Sequence, residues 1–281
     1  MYLKKKIGNY FALCRPLNVL IGMLSIFIGA FITGTIHPII AVLFASISGG
    51  LIAAAANVIN DYYDIAIDKI NKPHRPIAAG LISPANGFAL SLGLFFVGMA
   101  FGYLINWKAF VVSVFSSIIL YLYSAKLKRT VLWGNLSVSL ATSLAFIYGG
   151  IAVNRLSLAL IPATFSFFYH LGREIIKDVE DIEGDRADNI KTLPIRFGKK
   201  LALEMATWIY VFLIFLTIAP YVFHIFGIYY LAIVIGIVDF VIIMVLISIW
   251  KKPETQNLSR MSTILKLNMF AGLIAIYCGK F

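Results

Sequence analysis

Nine apolar stretches follow one another along the chain, at roughly 17–36, 38–60, 84–105, 107–124, 131–152, 156–175, 200–221, 226–250 and 262–279. Each approaches the ~20 residues that an α-helix needs to cross the hydrocarbon core of a bilayer. The alternation of a barrel strand is absent, so these segments satisfy their backbone in lipid by coiling into helices. Hydrophobic residues make up 60% of the 281 and charged residues 13%, more apolar surface than a water-soluble domain of this length hides. The expected fold is all-α: a polytopic membrane bundle of about nine transmembrane helices, with residues 1–281 forming a single transmembrane domain. Cys14 and Cys278 stand far apart and outside any CxxC pattern, which argues against a disulfide framework and a thiolate metal site. Lys4, Lys5 and Lys6 precede the first apolar stretch, but no small-residue cleavage site closes a short one, so that stretch is expected to be retained.

A net charge of +11 suggests nucleic acid in a soluble protein. In a chain this apolar it points instead to loops on an anionic membrane surface, with no nucleic-acid partner. Placing the N-terminus inside puts 21 of the 24 lysines and arginines on that side, leaving Lys108, Arg155 and Lys280 outside. So one-sided a distribution predicts a multi-pass cell-membrane protein with a cytoplasmic N-terminus.

The acids are concentrated. Asp61, Asp64 and Asp68 follow the second stretch, and Glu174, Asp178, Glu180, Asp181, Glu183, Asp185 and Asp188 follow the sixth, together 10 of 13 acids and all on the predicted cytoplasmic side. The spacing of Asp61, Asp64 and Asp68 recurs 117 residues later in Asp178, Asp181 and Asp185. Positions three and four apart share a helix face, so each cluster presents a carboxylate stripe at a helix end. A repeated device suggests a site between two halves. Carboxylates without histidine or cysteine suit Mg²⁺ rather than zinc, and Mg²⁺ commonly shares its shell with a substrate phosphate. Two such clusters with Mg²⁺ would make a clamp for a diphosphate.

Basic residues border the acids. Lys72-Pro73-His74-Arg75-Pro76 follows the first cluster, and its prolines stiffen the loop. Arginine binds phosphate oxygens bidentately and lysine offers a point charge. Lys126, Lys128 and Arg129 leave the fourth stretch after Tyr123, and Arg15, beside Pro16 and Asn18, opens the first. Asn57 and Asn60 lie on the last turn of the second stretch, where an amide can complete a metal or phosphate shell.

The stretch from Asn57 through Asn60, Asp61, Asp64 and Asp68 to Lys72 and Arg75 resembles the first aspartate-rich motif of the UbiA superfamily of intramembrane prenyltransferases. Asp178 to Asp185, continuing through Arg186 to Thr192, Pro194 and Gly198, resembles its second, and Arg15-Pro16-Leu17-Asn18 its opening signature. The resemblance implies that Asn60, Asp61, Asp64 and Asp68 hold one Mg²⁺ and that Asp178, Asp181 and Asp185 hold the other. It implies that Lys72 and Arg75 bind diphosphate oxygens. The family's tyrosine followed four residues on by lysine is here Tyr123 with Lys126 and Lys128, at three and five. The run from Arg173 to Asp185 is most similar to the archaeal digeranylgeranylglyceryl phosphate synthases. That likeness implies a geranylgeranyl diphosphate donor and, from the membrane lipids, a geranylgeranylglyceryl phosphate acceptor, joined by an ether bond. Arg15 and the Lys126, Lys128 and Arg129 group are the candidates for the acceptor's phosphate.

On this reading Asn60, Asp64 and Asp181 are the expected catalytic residues, and the cation formed from the donor is sheltered from water among apolar, aromatic-rich spans. Three other functions compete. An aromatic acceptor such as 4-hydroxybenzoate suits the same clamp. A cation transporter also places acids in membrane helices, though here they gather at one face. A CDP-alcohol phosphotransferase needs a DG…AR signature, and Asp64 is followed by Ile65.

Overall fold

A computed structural model describes residues 2–187 and 190–281, with side chains from Ile7 onward. Asp188, counted above with the second acidic cluster, lies outside the described residues, as do the side chains of Lys4, Lys5 and Lys6. Among the described residues there is no β-strand.

The helices are α1 Tyr2–Leu13, α2 Pro16–Phe31, α3 Ile39–Tyr63, α4 Ile65–Asn71, α5 Pro84–Ile105, α6 Trp107–Ala125, α7 Trp133–Ala152, α8 Leu160–Glu180, α9 Ile182–Ala187, α10 Leu193–Phe197, α11 Lys199–Val222, α12 Ile228–Ile233, α13 Phe240–Lys251 and α14 Thr255–Cys278. A π-helical turn, Val234–Asp239, joins α12 to α13 into one long helix. Seven of these helices are long and apolar enough to span a membrane, and the bent pair α1–α2 makes up to eight. The ninth expected span, α8, is long but not apolar enough, because its last two turns carry Arg173, Glu174, Lys177, Asp178 and Glu180. The expected start of the last span at 262 also moves, since α14 begins at Thr255 and takes Arg260 into the helix ahead of Lys266.

Local chemistry sets the helix starts. Ser83 and Asn106 cap α5 and α6 with side chains that accept from Asn86 N and Ala109 N, the usual use of such residues at an N-cap. Serines and threonines along the spans donate to carbonyls three or four residues back, as Ser117 does to Ser113 and Ser143 to Leu140, so lipid-depth hydroxyls keep a partner. Large apolar side chains such as Phe96, Tyr103, Phe115, Trp208 and Phe215 face outward, as expected when the surrounding solvent is hydrocarbon.

The bundle closes as a ring: α2 packs on α3, α7 and α14, α3 on α6, α6 on α7, α7 on α8, and α8 on α14. α2 and α7 approach closely through small residues. A Cβ on Gly149 would meet the Ile26 carbonyl, and one on Gly29 the Phe146 carbonyl, the small-residue packing that membrane helices use in place of a hydrophobic drive. Gly149→Ala is expected to cost about 1–3 kcal/mol, because backbone cannot move aside as a side-chain tip does. Thermal unfolding in detergent measures it, and an unchanged midpoint would show that α2 and α7 can separate freely.

Candidate functional site

α3 and α8 end in the same way. Asp64, at φ −94° and ψ 10°, joins α3 to α4, and Asp181, at φ −89° and ψ 7°, joins α8 to α9. The backbone bonds correspond: Asp64 N donates to Asn60 O and Asp68 N to Asp64 O, while Asp181 N donates to Lys177 O and Asp185 N to Asp181 O. These dihedrals lie in the sparse bridge region that functional residues often occupy. α4 and α9 pack together, so the two aspartate-bearing helix ends face each other.

They flank one cavity of about 520 Å³. Its polar end is lined by Arg15, Asn57, Asn60, Asp64, Asp68, Lys72, Arg75, Tyr123, Lys128, Asp178, Asp181 and Asp185. Its interior runs between α2, α3, α6 and α7, past Ile21, Ile26, Ile52, Val112, Leu120 and Leu144. A smaller cavity of about 80 Å³ shares Ser25, Ser166, His170 and Met269 with it.

Two expected residues stand apart. Asp61 is buried behind the wall rather than lining the cavity, because Arg15 and Arg75 cover it. Its carboxylate anchors two arginines. Lys126 is exposed and outside the lining. It closes α6, and the short 3-10 turn Leu127–Arg129 swings Lys128 inward in its place. Asn57 lines the cavity but also donates to Cys14 O at 3.0 Å and accepts from Asn18 Nδ2 at 3.3 Å. It thereby ties the α1–α2 bend to α3. At that bend Arg15 takes a left-handed φ of 52°, uncommon for a side-chain-bearing residue, and its guanidinium reaches Asp61.

Four of the remaining carboxylates, Asp64, Asp68, Asp178 and Asp181, have a partner. Arg75 Nη1 donates to both Asp68 oxygens at 2.8 and 2.7 Å. Lys72 Nζ lies 3.2 and 3.3 Å from the Asp181 oxygens. Asp64 takes Lys128 Nζ and, at 2.6 Å, Asn60 Nδ2. Asn135 Nδ2 donates to Asp178 at 2.9 Å. Sequence reading missed Asn135, because nothing marks one amide in an apolar span as facing an acid on the next helix. With four of these carboxylates turned to a cation or amide, no three acidic, histidine or cysteine side chains among the described residues converge on a point that could hold a metal ion. The donor set is still all oxygen, and it is crowded. Burial pushes the Asp185 carboxyl up to about 6, with Asp181 and Asp64 adding to the effect and Lys128 opposing it. Burial likewise raises Asp68 against the pull of Arg75. Carboxylates strained in this way by their neighbours fit a hard divalent cation, which relieves like-charge repulsion that side chains alone relieve only in part.

A facing pair of aspartate-bearing helix breaks at the polar mouth of an apolar intramembrane cavity is the arrangement that comparison with known proteins decides. The model of the UbiA prenyltransferase family matches residues 22–273. The chain belongs to the UbiA prenyltransferase family. Among curated UbiA relatives, the digeranylgeranylglyceryl phosphate synthase of Saccharolobus solfataricus is 36% identical over 276 residues, covering 97% of this chain and 96% of the relative. That of Methanopyrus kandleri is 35% identical over 266 residues, covering 95% and 97%. A solved structure described as digeranylgeranylglyceryl phosphate synthase in membranes superposes with a TM-score of 0.76 at 34% identity, over 98% of both chains. The UbiA homologue of Archaeoglobus fulgidus bound to GPP and Mg²⁺ shares the fold, with a TM-score of 0.71 at 22% identity over 95% of this chain and 99% of that one. The protein is thus a multi-pass membrane prenyltransferase of all-α UbiA fold.

Proposed function

We propose that this enzyme transfers a geranylgeranyl group from geranylgeranyl diphosphate to the hydroxyl of geranylgeranylglyceryl phosphate, forming the second ether bond of an archaeal membrane lipid. The observation that carries it is the pair of matched aspartate breaks opening into one apolar cavity. Near-full-length similarity to relatives named for that synthesis supports the acceptor. The nine-span topology, with the bent α1–α2 pair and α8 each counted as one span, is part of the proposal. So are the cytoplasmic N-terminus and the cytoplasmic carboxylate clusters, supported by 21 of 24 basic residues on that side. Lys108, Arg155 and Lys280 fall at the opposite end; the last two flank Gly34.

Asp64, Asp68, Asp178, Asp181 and Asp185 would hold Mg²⁺, with Asn60 orienting Asp64. When bound, Mg²⁺ supplies Lewis-acid stabilisation of the leaving diphosphate. Lys72, Arg75 and Lys128 lie among those carboxylates and would bind diphosphate oxygens, so charge developing on the leaving group meets cations already in place. The bond broken joins the allylic carbon to a diphosphate oxygen. The bond formed joins that carbon to the acceptor oxygen, whose proton passes to the released diphosphate or to Asp64. The apolar walls exclude water from the allylic cation, and Tyr123 at the polar end offers it a π-face.

The test is product mass. Purified enzyme with geranylgeranyl diphosphate and Mg²⁺ is expected to give a diether with geranylgeranylglyceryl phosphate and nothing with 4-hydroxybenzoate. Product from the aromatic acceptor alone would overturn the acceptor assignment.

A pH effect follows from Asp185. Its folded-state value of about 6 exceeds the ordinary 3.8, so the carboxylate is protonated below pH 6, and a proton then competes with the metal. The half-saturating Mg²⁺ concentration is expected to rise about tenfold per pH unit below 6 and to stay flat above 7. Activity against Mg²⁺ at fixed pH values measures this. Asp185→Asn should flatten the dependence, and a profile with the same slope in that variant would assign the proton elsewhere.

A further inference from the structure

The cavity contains a second cationic cluster, which begins on α8 one turn and more before its aspartate break and extends to α14. It is built from Arg173 and Lys177 on α8 and Lys266 on α14, and all three line the cavity. α8 and α14 are locked together there, since Arg173 Nε donates to Ser262 O at 3.1 Å. Glu174 is the one acid in the group. It is buried, and it takes Arg173 Nη1 at 3.2 Å and Lys177 Nζ at 3.1 Å. Lys266 has no hydrogen-bond or ion-pair partner among the described residues. The charges that act on it are Arg173, Arg15 and Lys177, all cations.

An unpaired lysine more than two turns inside an apolar helix, facing like charges, is costly. It persists where an anion offsets the repulsion. Three cations against one carboxylate leave a surplus of two positive charges, which matches a phosphomonoester at neutral pH. Elsewhere in the cavity the cations are committed: Arg15 to Asp61, Lys72 to Asp181, Arg75 to Asp68 and Lys128 to Asp64. The basic groups expected from the sequence to serve the acceptor are therefore engaged, or, like Lys126, exposed. Below the cluster, the same faces of α8 and α14 continue as His170 and Met269, where the main cavity meets its smaller branch. A lipid held by its phosphate at Lys266 has an apolar path beneath it.

We infer that Arg173, Lys177 and Lys266 form the binding site for the phosphomonoester of the lipid acceptor, beside the aspartate clamp that takes the donor's diphosphate. This rests on the proposed prenyl transfer and adds to it how the enzyme selects a phosphorylated acceptor.

The experiment uses full-length protein in a non-ionic detergent free of phospholipid, so that bilayer head groups cannot be the ligand. Calorimetry in EDTA without donor measures binding of geranylgeranylglyceryl phosphate and of its dephosphorylated alcohol. Steady-state kinetics then measure KM for acceptor and donor. In Lys266→Met, whose lysine has no partner to lose on folding, affinity for the phosphorylated acceptor is expected to fall about tenfold or more, as for loss of one charged partner. Its KM should rise in step while the donor KM stays within about twofold. Lys177→Gln should show the same pattern, and Lys266→Arg should regain most of the loss. Unchanged acceptor binding in both variants, or a rise in donor KM instead, overturns the assignment. Intact wild-type binding without any ether product overturns the proposed function and leaves the phosphate site standing.

Discussion

Asp181→Asn is expected to lower prenyl transfer by about 10²–10³-fold, the scale seen when a preorganised charge-stabilising group is removed, with near-normal yield of folded protein. Asparagine keeps the size of the side chain and an oxygen for Lys72, which now donates to Asp181 at 3.2 Å. What it loses is the negative charge. Asp181 is also a partly exposed residue at a helix break, so the substitution disturbs the cavity mouth more than the core. Asp64 holds the matching position between α3 and α4, and Asp64→Asn should cost about as much. If the two act on one diphosphate, the double variant should be little slower than either single one, since residues that work as a unit lose their effect together. Turnover assays on the three variants check this. Multiplicative losses would mean that the two breaks contribute separately.

Lys128→Met should destabilise the protein by about 3 kcal/mol without divalent metal, the low end for removing one partner of a buried pair; the lysine side chain is still 23% exposed. Lys128 pairs with Asp64 and also acts on Asp181 and Asp185. Burial opposes its charge, but the three carboxylates outweigh burial and hold its pKa above the ordinary lysine value. The stabilisation is therefore fully present at neutral pH and is lost only as pH rises through that alkaline value. Without Lys128, Asp64 and Asp185 lose their nearest compensating charge, and Lys72 remains on Asp181 alone. Mg²⁺ is expected to restore most of the lost stability, since a divalent cation supplies the missing positive charge, while kcat/KM stays depressed for want of a diphosphate ligand. Thermal unfolding with and without Mg²⁺ reads the first effect and kinetics the second. A variant as stable as wild type in EDTA would show that the carboxylates are not in conflict.

Much of the fold was legible because lipid imposes simple rules. Apolar runs of bilayer length became helices with ends within a few residues of those expected, as for Pro84–Ile105 and Lys199–Val222. The exceptions have physical causes. α8 ends in charge because its last turns line the polar mouth of the cavity rather than facing lipid. α14 starts early, at Thr255, because its first turns with Ser259 and Ser262 line the cavity while Arg260 stays exposed. The site was legible from the repeated three-and-four spacing, which the fold renders as two breaks with nearly equal dihedrals. Whether Lys126 or Lys128 enters the site depends on one 3-10 turn, and spacing alone does not encode it. Asp61 looked like its neighbours in sequence, but only the packing of Arg15 and Arg75 over it sets it apart. Lys266 did carry a signal, an isolated lysine inside an apolar helix, which counting charges by membrane side absorbed into the topology.

On the proposed function, the two aspartate breaks together load the divalent metal for a single diphosphate. The most direct measurement is a Mn²⁺ titration followed by electron paramagnetic resonance, in the presence of an unreactive thio-analogue of geranylgeranyl diphosphate. Wild-type protein is expected to bind metal tightly only with the analogue present, at about two ions per chain given one site from each repeat, and Asp64→Asn and Asp181→Asn should each lose one. Tight metal binding that survives unchanged in both variants would contradict the claim.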